Sequence, residues 1–409
     1  MKPHGPIPPA FRADASGMLL IGGDRAEALA DAAGDTPLFV YDSAMLAARV
    51  AEWRAAMPKQ VQLHYAMKAN PYAPLLAHMA GLVDGFDVAS GGELKAALAS
   101  GMAAAHVSFA GPGKRDRELE AAISAGATLN LESMGEADRA LAIAQRLGIT
   151  PRLAVRVNPD FDLKGSGMKM GGGAKPFGVD AAGVPVLVRR LIDAGADWRG
   201  FHIFAGSQAL DAAAIADTQA QTVALAARLA KAIGVAPPLV NLGGGMGVPY
   251  FPGDTAVDVA AVGDALAQTL GDRDSILADS GFAMELGRWL VAEAGVYLTR
   301  VVDRKTSHGE TFLVTDGGLH HQLAASGNFG TVIRRNYPIA VASRFGEAPA
   351  ETVSVVGCLC TPLDRLGDQV ALPHADVGDL VAIFQAGAYG ATASPSAFLG
   401  QGPAQEMLV

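Results

Sequence analysis

Short apolar runs recur along the middle of the chain, and most are followed by a longer alanine-rich stretch. The runs fall at Gln62–Ala66, Leu82–Val88, His106–Ala110, Thr128–Leu131, Arg152–Val157, Gly200–Phe204, Leu239–Leu242 and Ala283–Leu286. Their length and composition predict buried strands. The intervening stretches, among them Gly92–Ser100, Arg117–Ala125, Gly135–Leu147 and Ala212–Ile233, predict helices. Strand and helix alternating at first every ~20–25 residues is the cadence of βα units on a parallel sheet. About eight such units predict a closed (β/α)8 TIM barrel, whose chemistry gathers at the C-terminal strand ends.

The pattern changes after Glu285. Leu290–Asp303, Thr311–Thr315, Thr352–Val356 and Asp379–Phe384 are alternating or β-branched and are separated by Gly, Pro and Asp. They predict an antiparallel β domain. Met18–Ile21 and Leu38–Tyr41 also read as strands and are expected to join it. The expected division is a barrel over 45–285 and a β-barrel-like domain formed by 1–44 together with 286–409. Lys164–Lys175 carries Gly-Ser-Gly and Gly-Gly-Gly without periodicity, and reads equally as a lid or as a disordered insertion.

Composition narrows the partners. With 409 residues the chain is long enough for two domains and a large core. Half the residues are hydrophobic, yet no apolar run approaches a membrane span, and the first residues lack the apolar stretch of a signal peptide. A net charge of −9 argues against nucleic acid or an anionic membrane as partner. The two cysteines, Cys358 and Cys360, are separated by one residue, a spacing that on a strand disfavours a disulfide. A reducing cytoplasm fits, and no metal is expected.

Candidate chemistry begins with Lys68, in His-Tyr-Ala-Met-Lys-Ala-Asn-Pro (64–71). A lysine pinned at a strand end can be desolvated, lose its proton and attack an aldehyde, which makes it a candidate for the lysine that carries pyridoxal 5'-phosphate (PLP). Asn-Leu-Gly-Gly-Gly-Met-Gly (241–247) follows an apolar strand, and its glycines let backbone N–H groups approach a phosphate. Met-Glu-Leu-Gly-Arg (284–288), at the next strand end, adds a carboxylate and a guanidinium that can clamp phosphate. Glu285 would repel a phosphate but suits a protonated pyridine nitrogen. Gly-Ala-Tyr-Gly (387–390) offers a phenol.

Tyr-Ala-Met-Lys-Ala-Asn, Phe-Asp-Val-Ala-Ser-Gly-Gly-Glu (86–93), Gly-Ser-Gln (206–208), Gly-Gly-Gly, Glu-Leu-Gly-Arg, Gly-Cys-Leu-Cys-Thr (357–361) and Gly-Ala-Tyr together resemble the fold-type III PLP decarboxylases. That family includes the ornithine, arginine and diaminopimelate decarboxylases. The resemblance implies an alanine-racemase-like barrel plus a β domain, with Lys68 carrying the cofactor and Asp87 near it. It also implies Ser207, Gly243, Gly244, Gly245, Gly287, Arg288 and Tyr389 around the phosphate, and Glu285 at the pyridine nitrogen. Cys360 would come from a second subunit and serve as a catalytic proton donor, so the active unit would be a homodimer with shared sites.

Three departures from the family pattern bear on substrate. Phe204 stands where the family stacks a histidine on the ring, and His202 lies two residues earlier without an assigned role. Thr361 replaces the acidic residue that grips a distal substrate amine, although Asp364 is near in sequence. The segment 316–330, with Arg334, Arg335 and Tyr337, resembles the subgroup of the butirosin-pathway glutamyl-carrier-protein decarboxylase and the exosortase-associated decarboxylases. The implied activity is decarboxylation of an amino acid, free or held on an acyl carrier protein, with Thr361, Asp364, Arg334, Arg335 and Tyr337 near the substrate. A diaminopimelate decarboxylase, an amino-acid racemase on the same barrel and a non-catalytic relative remain as alternatives. Glu285 in place of a racemase's arginine favours loss of CO2.

Overall fold

The computed structural model describes residues 1–165, 167–327 and 334–409. The chain divides into two compact units, one of Arg49–Gly247 with Ala256–Gly287, the other of Met1–Ala48, Val248–Thr255 and Arg288–Val409.

The first unit is a closed barrel. Its strands are β1 (Val61–Ala66), β2 (Gly85–Val88), β3 (Val107–Phe109), β4 (Thr128–Leu131), β5 (Arg152–Asn158), β6 (Asp197–Ile203), β7 (Leu239–Asn241) and β8 (Gly281–Leu286). Each pairs in parallel with the next, and β8 closes on β1 with Glu285 opposite His64. All eight predicted strands are present, with ends displaced by up to three residues. Strand-to-helix turns use side-chain caps at several positions. Ser90 accepts from Glu93 N before the helix Gly91–Ala99, Ser133 from Glu136 N before Met134–Leu147, and Asp211 from Ala213 N before Ala212–Ile233.

The second unit is built on the long strand Gly295–Ser307. It pairs antiparallel with Glu310–Thr315, Leu380–Phe384 and Leu38–Tyr41. The domain is not wholly antiparallel as expected: Glu310–Thr315 lies parallel to Glu351–Val356, and Leu38–Tyr41 parallel to Gln405–Leu408. The first pair is joined by the long connection 316–350, enough chain to return to the same end of the sheet. Leu19–Ile21 does not join this sheet; it forms a separate three-stranded sheet with Arg12–Ala13 and Asp24–Arg25. Its apolar face packs on Phe11, Val296 and Phe384 in that unit's core. The run expected as one strand from Leu290 begins instead with the helical turn Arg288–Val291. Among the described residues no helix is long and apolar enough to cross a membrane.

One buried ion pair braces the barrel. Lys114 Nζ meets Glu136 Oε1 at 2.6 Å, with side chains 1% and 3% exposed, and also donates to the Asn130 carbonyl at 3.0 Å. Lys114→Met strands a carboxylate in the interior and is expected to cost about 3–5 kcal/mol in urea unfolding. Adding Glu136→Leu should recover most of that loss. A single variant costing under about 1 kcal/mol would show that the pair does not brace the barrel.

Candidate active site

In the barrel unit, Lys68 sits on a single 3-10 turn, Met67–Ala69, directly after β1. Met67, Ala69 and Asn70 are buried, the Tyr65 hydroxyl donates to the Asn70 carbonyl at 2.8 Å, and Asn70 Oδ1 accepts from Tyr72 N at 3.1 Å. The turn is thus fixed on both sides of the lysine. Lys68 itself is exposed. Its Nζ stands 5.5 Å from the Phe204 ring centre.

A cavity of about 200 Å³ opens beside it, lined by Lys68, Asp87, Arg156, Phe177, His202, Phe204 and Glu285 among others. A larger cavity, about 800 Å³, opens among the first residues of the strands, including Val107, Thr128, Arg152, Leu239 and Gly281. It has no lysine, and in barrels of this type chemistry belongs at the opposite strand ends. Chemistry, and not volume, selects the smaller cavity.

Glu285, one of the buried charged residues of that cavity, is 6% exposed near the end of β8. His202 Nε2 lies 2.8 Å from its Oε2, and Asn241 Nδ2 donates to the same oxygen at 3.3 Å. Burial pushes the carboxyl up, but the charge and hydrogen bond of His202, with Lys68 and Arg156 behind them, outweigh it and hold the group below the usual carboxylate range. Parallel register explains the grouping, since His202 on β6 is level with Arg156 on β5 and Asn241 on β7. Asp87 on β2 is 7% exposed, neither of its oxygens takes a hydrogen bond, and His64 Nδ1 stands 3.4 Å away. Burial would lower the His64 pKa, yet the Asp87 carboxylate raises it overall. Burial also pushes the Glu93 carboxyl up beside Lys68, against the Ala89 N–H and the Lys68 charge.

The glycine run is a tight cradle. A Cβ on Gly244 would fall 1.9 Å from the Glu285 carbonyl, and one on Gly243, at φ +71, 2.5 Å from the Ile203 carbonyl. Gly245 has φ +103, and a Cβ on Gly287 would lie 2.9 Å from the Ala66 carbonyl. Ser207 lies in the pair Gly206–Ser207, which ladders antiparallel with Met168–Lys169. Met170 N and Gly171 N both donate to the Ala205 carbonyl at 3.1 Å. The described part of 164–175 is therefore bonded along 205–207.

In the other unit, the Arg288 guanidinium lies between two phenols, 5.4 Å from the Tyr250 ring and 4.7 Å from that of Tyr389. It donates to the Tyr250 hydroxyl at 2.9 Å, its Nε is buried without a partner, and no described carboxylate pairs with it. Tyr389 adopts φ +59 beside Gly390. Other residues expected near the substrate have internal partners. Asp364, 3% exposed, accepts from Leu319 N at 2.6 Å and Leu359 N at 2.9 Å, and burial pushes its carboxyl up. Tyr337 is buried, with its ring 4.8 Å from that of Tyr250. The Arg335 guanidinium lies 3.8 Å from the Phe251 ring, and Arg334 donates to the Leu363 carbonyl at 3.1 Å. Thr361 Oγ1 accepts from Leu363 N at 3.3 Å, and Cys360 is exposed.

Residues 43–292 match the pyridoxal-binding domain of the pyridoxal-dependent decarboxylases. The chain belongs to the pyridoxal-dependent decarboxylase family. It is 36% identical to an L-glutamyl-[BtrI acyl-carrier protein] decarboxylase of Niallia circulans, over 91% of this chain and 89% of that one. It is 33% identical to the diaminopimelate decarboxylase of Neisseria meningitidis, over 93% and 91%. The crystal structure of diaminopimelate decarboxylase from M. jannaschii with L-lysine matches at a TM-score of 0.88, with 26% identity over 98% of this chain and 93% of that one. The enzyme is a PLP-dependent carboxy-lyase acting on an amino acid.

The residues fit that cofactor. Within the barrel unit, glycines that admit no side chain suit a phosphate, and a buried glutamate held in its charged form suits a pyridinium. Sequence reading gave His202, Asn241 and Arg156 no role. The alternation of inward and outward positions along β5, β6 and β7 was the available signal, but the three residues stand at different distances from their strand ends, so only the pairing register brings them level.

Gly244→Ala is expected to lower cofactor affinity and to destabilise the apoenzyme by about 1–3 kcal/mol, because its Cβ meets fixed backbone. Gly135→Ala, with nothing within 4 Å, is the control. Equal urea midpoints for the two variants would contradict a tight cradle.

Proposed function

We propose that the enzyme decarboxylates an amino acid whose distal group is acidic, neutral or tethered to a carrier, and not one bearing a free distal ammonium. The observation that carries this reading is the state of Asp364. Thr361 replaces the family's acidic residue, and Asp364, the nearby carboxylate, is committed to Leu319 N and Leu359 N. A distal ammonium held out of water needs a counter-charge, and leaving it unpaired costs several kcal/mol. The relative from Niallia circulans, which acts on a carrier-bound glutamyl group, supports the same choice.

Lys68 would hold the cofactor covalently, Gly243–Gly245, Gly287 and Ser207 would cradle its phosphate, and Arg288 and Tyr389 would add charge and a hydroxyl. Phe204 would cover the ring, Asp87 would lie near Lys68, and Glu285 would accept from the pyridine nitrogen. When bound, PLP supplies an electron sink for the electron pair left at Cα as CO2 departs. Each turnover releases one CO2 and takes up one proton at Cα. Cys360 is the exposed thiol suited to return that proton from a second copy, and Lys68 is the alternative donor. Homodimerisation with shared sites and a cytoplasmic location, in keeping with two free thiols, belong to this reading.

Borohydride should reduce the holoenzyme's visible band and label Lys68, and Lys68→Ala should lack the band. Label on another lysine, or on none, would overturn the assignment. CO2 release should be faster from glutamate, its close analogues or glutamyl-loaded carrier protein than from ornithine, lysine or meso-diaminopimelate. Faster turnover of a diamino substrate would instead favour a diaminopimelate-type activity.

Mixing inactive Lys68→Ala and Cys360→Ala protomers should restore activity, since a hybrid dimer has one site with both residues. No recovery after demonstrated subunit exchange would count against a shared site.

A further inference from the structure

His202 is a core histidine with one polar contact. It is 2% exposed on β6, its Nδ1 is buried without a partner, and Nε2 meets Glu285 Oε2 at 2.8 Å. A histidine serving only to fill a core would gain nothing from burying two polar atoms and satisfying one. Its position is imposed by register between Arg156 and Asn241, and its ring is not the one that stands over Lys68, a place taken by Phe204.

The two oxygens of Glu285 are treated differently. Oε2 receives both His202 and Asn241, while Oε1 takes no hydrogen bond among the described residues, although Glu285 lines the cavity. Asn241 is anchored by accepting from Gly243 N at 2.8 Å, and Glu285 N donates to the Gly243 carbonyl at 3.0 Å. Backbone and side chain are therefore both locked, with one oxygen left for a ligand.

We propose that His202 is a positioning residue: by donating from Nε2 to Oε2 it holds Glu285 ionised in its buried place and leaves Oε1 to accept from the pyridinium nitrogen of the cofactor. This rests on the reading of Glu285 as the pyridine partner. With the imidazole gone, burial dominates and favours a neutral carboxyl. One proton is shared between the carboxylate and the pyridine nitrogen. Destabilising the carboxylate moves that proton from nitrogen to oxygen, with no change in total charge. A neutral pyridine is a weaker electron sink, so decarboxylation slows.

The test is 15N NMR of enzyme reconstituted with pyridine-15N PLP. Wild type should give a pyridinium signal, and His202→Phe should move it toward neutral pyridine, with kcat falling on the order of tenfold or more. His202→Gln, which keeps a donor near the Nε2 position, should lie between and recover part of kcat. If His202→Phe cannot be obtained folded, His202→Leu, which likewise lacks a donor, is read in its place: a displaced signal supports the proposal, and one coincident with wild type overturns it. Unchanged signals in both variants also overturn it. Glu285→Gln separates the two claims: if it too leaves the signal unmoved, the reading of Glu285 has failed, and if it alone moves the signal, only the role of His202 has.

Discussion

A single carboxylate kept ionised away from water organises the candidate site. Glu285 is 6% exposed, and burying an unpaired carboxylate costs several kcal/mol. Neighbouring strands supply its partners: His202 and Asn241 reach one oxygen, and parallel pairing sets them side by side with Arg156. The glycine run is part of the same arrangement. Gly244 can lie against the Glu285 carbonyl only without a side chain, so the backbone suited to phosphate also fixes the glutamate. Cradle and carboxylate are coupled through adjacent atoms.

Arg288 poses the opposite electrostatic problem within the other unit. Its guanidinium is half-buried between phenols, its Nε has no partner, and no described carboxylate neutralises it. A partly buried guanidinium costs stability when it has no counter-charge, and its fork of donors is the geometry suited to an anion. Asp364 presents the contrasting case of a buried acid that accepts from Leu359 N of its own loop and from Leu319 N of a distant segment. Gly318 and Gly357 pack so closely on that carboxylate that a Cβ on either would fall 2.2 or 2.3 Å from it. A carboxylate used in this way ties two segments of the unit together.

The barrel was legible because each buried strand advertises itself by an apolar run and each helix by the stretch that follows. The β domain was harder to read. Leu38–Tyr41 has partners from the C-terminal third of the chain, and the parallel neighbour of Glu310–Thr315 arrives after a long connection, so local pattern does not reveal direction. Lys68 was found by its motif, but its exposure follows from a 3-10 turn that periodicity does not register. His202 was visible as a residue and not as a partner, because β6 shifts register between Trp198 and Gly200 and parity must be counted from the strand's far end. Asp364 looked available in sequence because nothing there specifies the backbone N–H groups that occupy it.

The central claim is that Glu285 is a carboxylate by virtue of its protein surroundings before any cofactor binds. Carbon-13 NMR of the apoenzyme, labelled at the glutamate carboxyl carbon and assigned with Glu285→Gln, reads this directly. The account predicts a Glu285 resonance that stays at the carboxylate position from about pH 8 down to about pH 4, where ordinary glutamates are already titrating. A Glu285 signal that protonates within that interval, above the ordinary glutamate range, would contradict it.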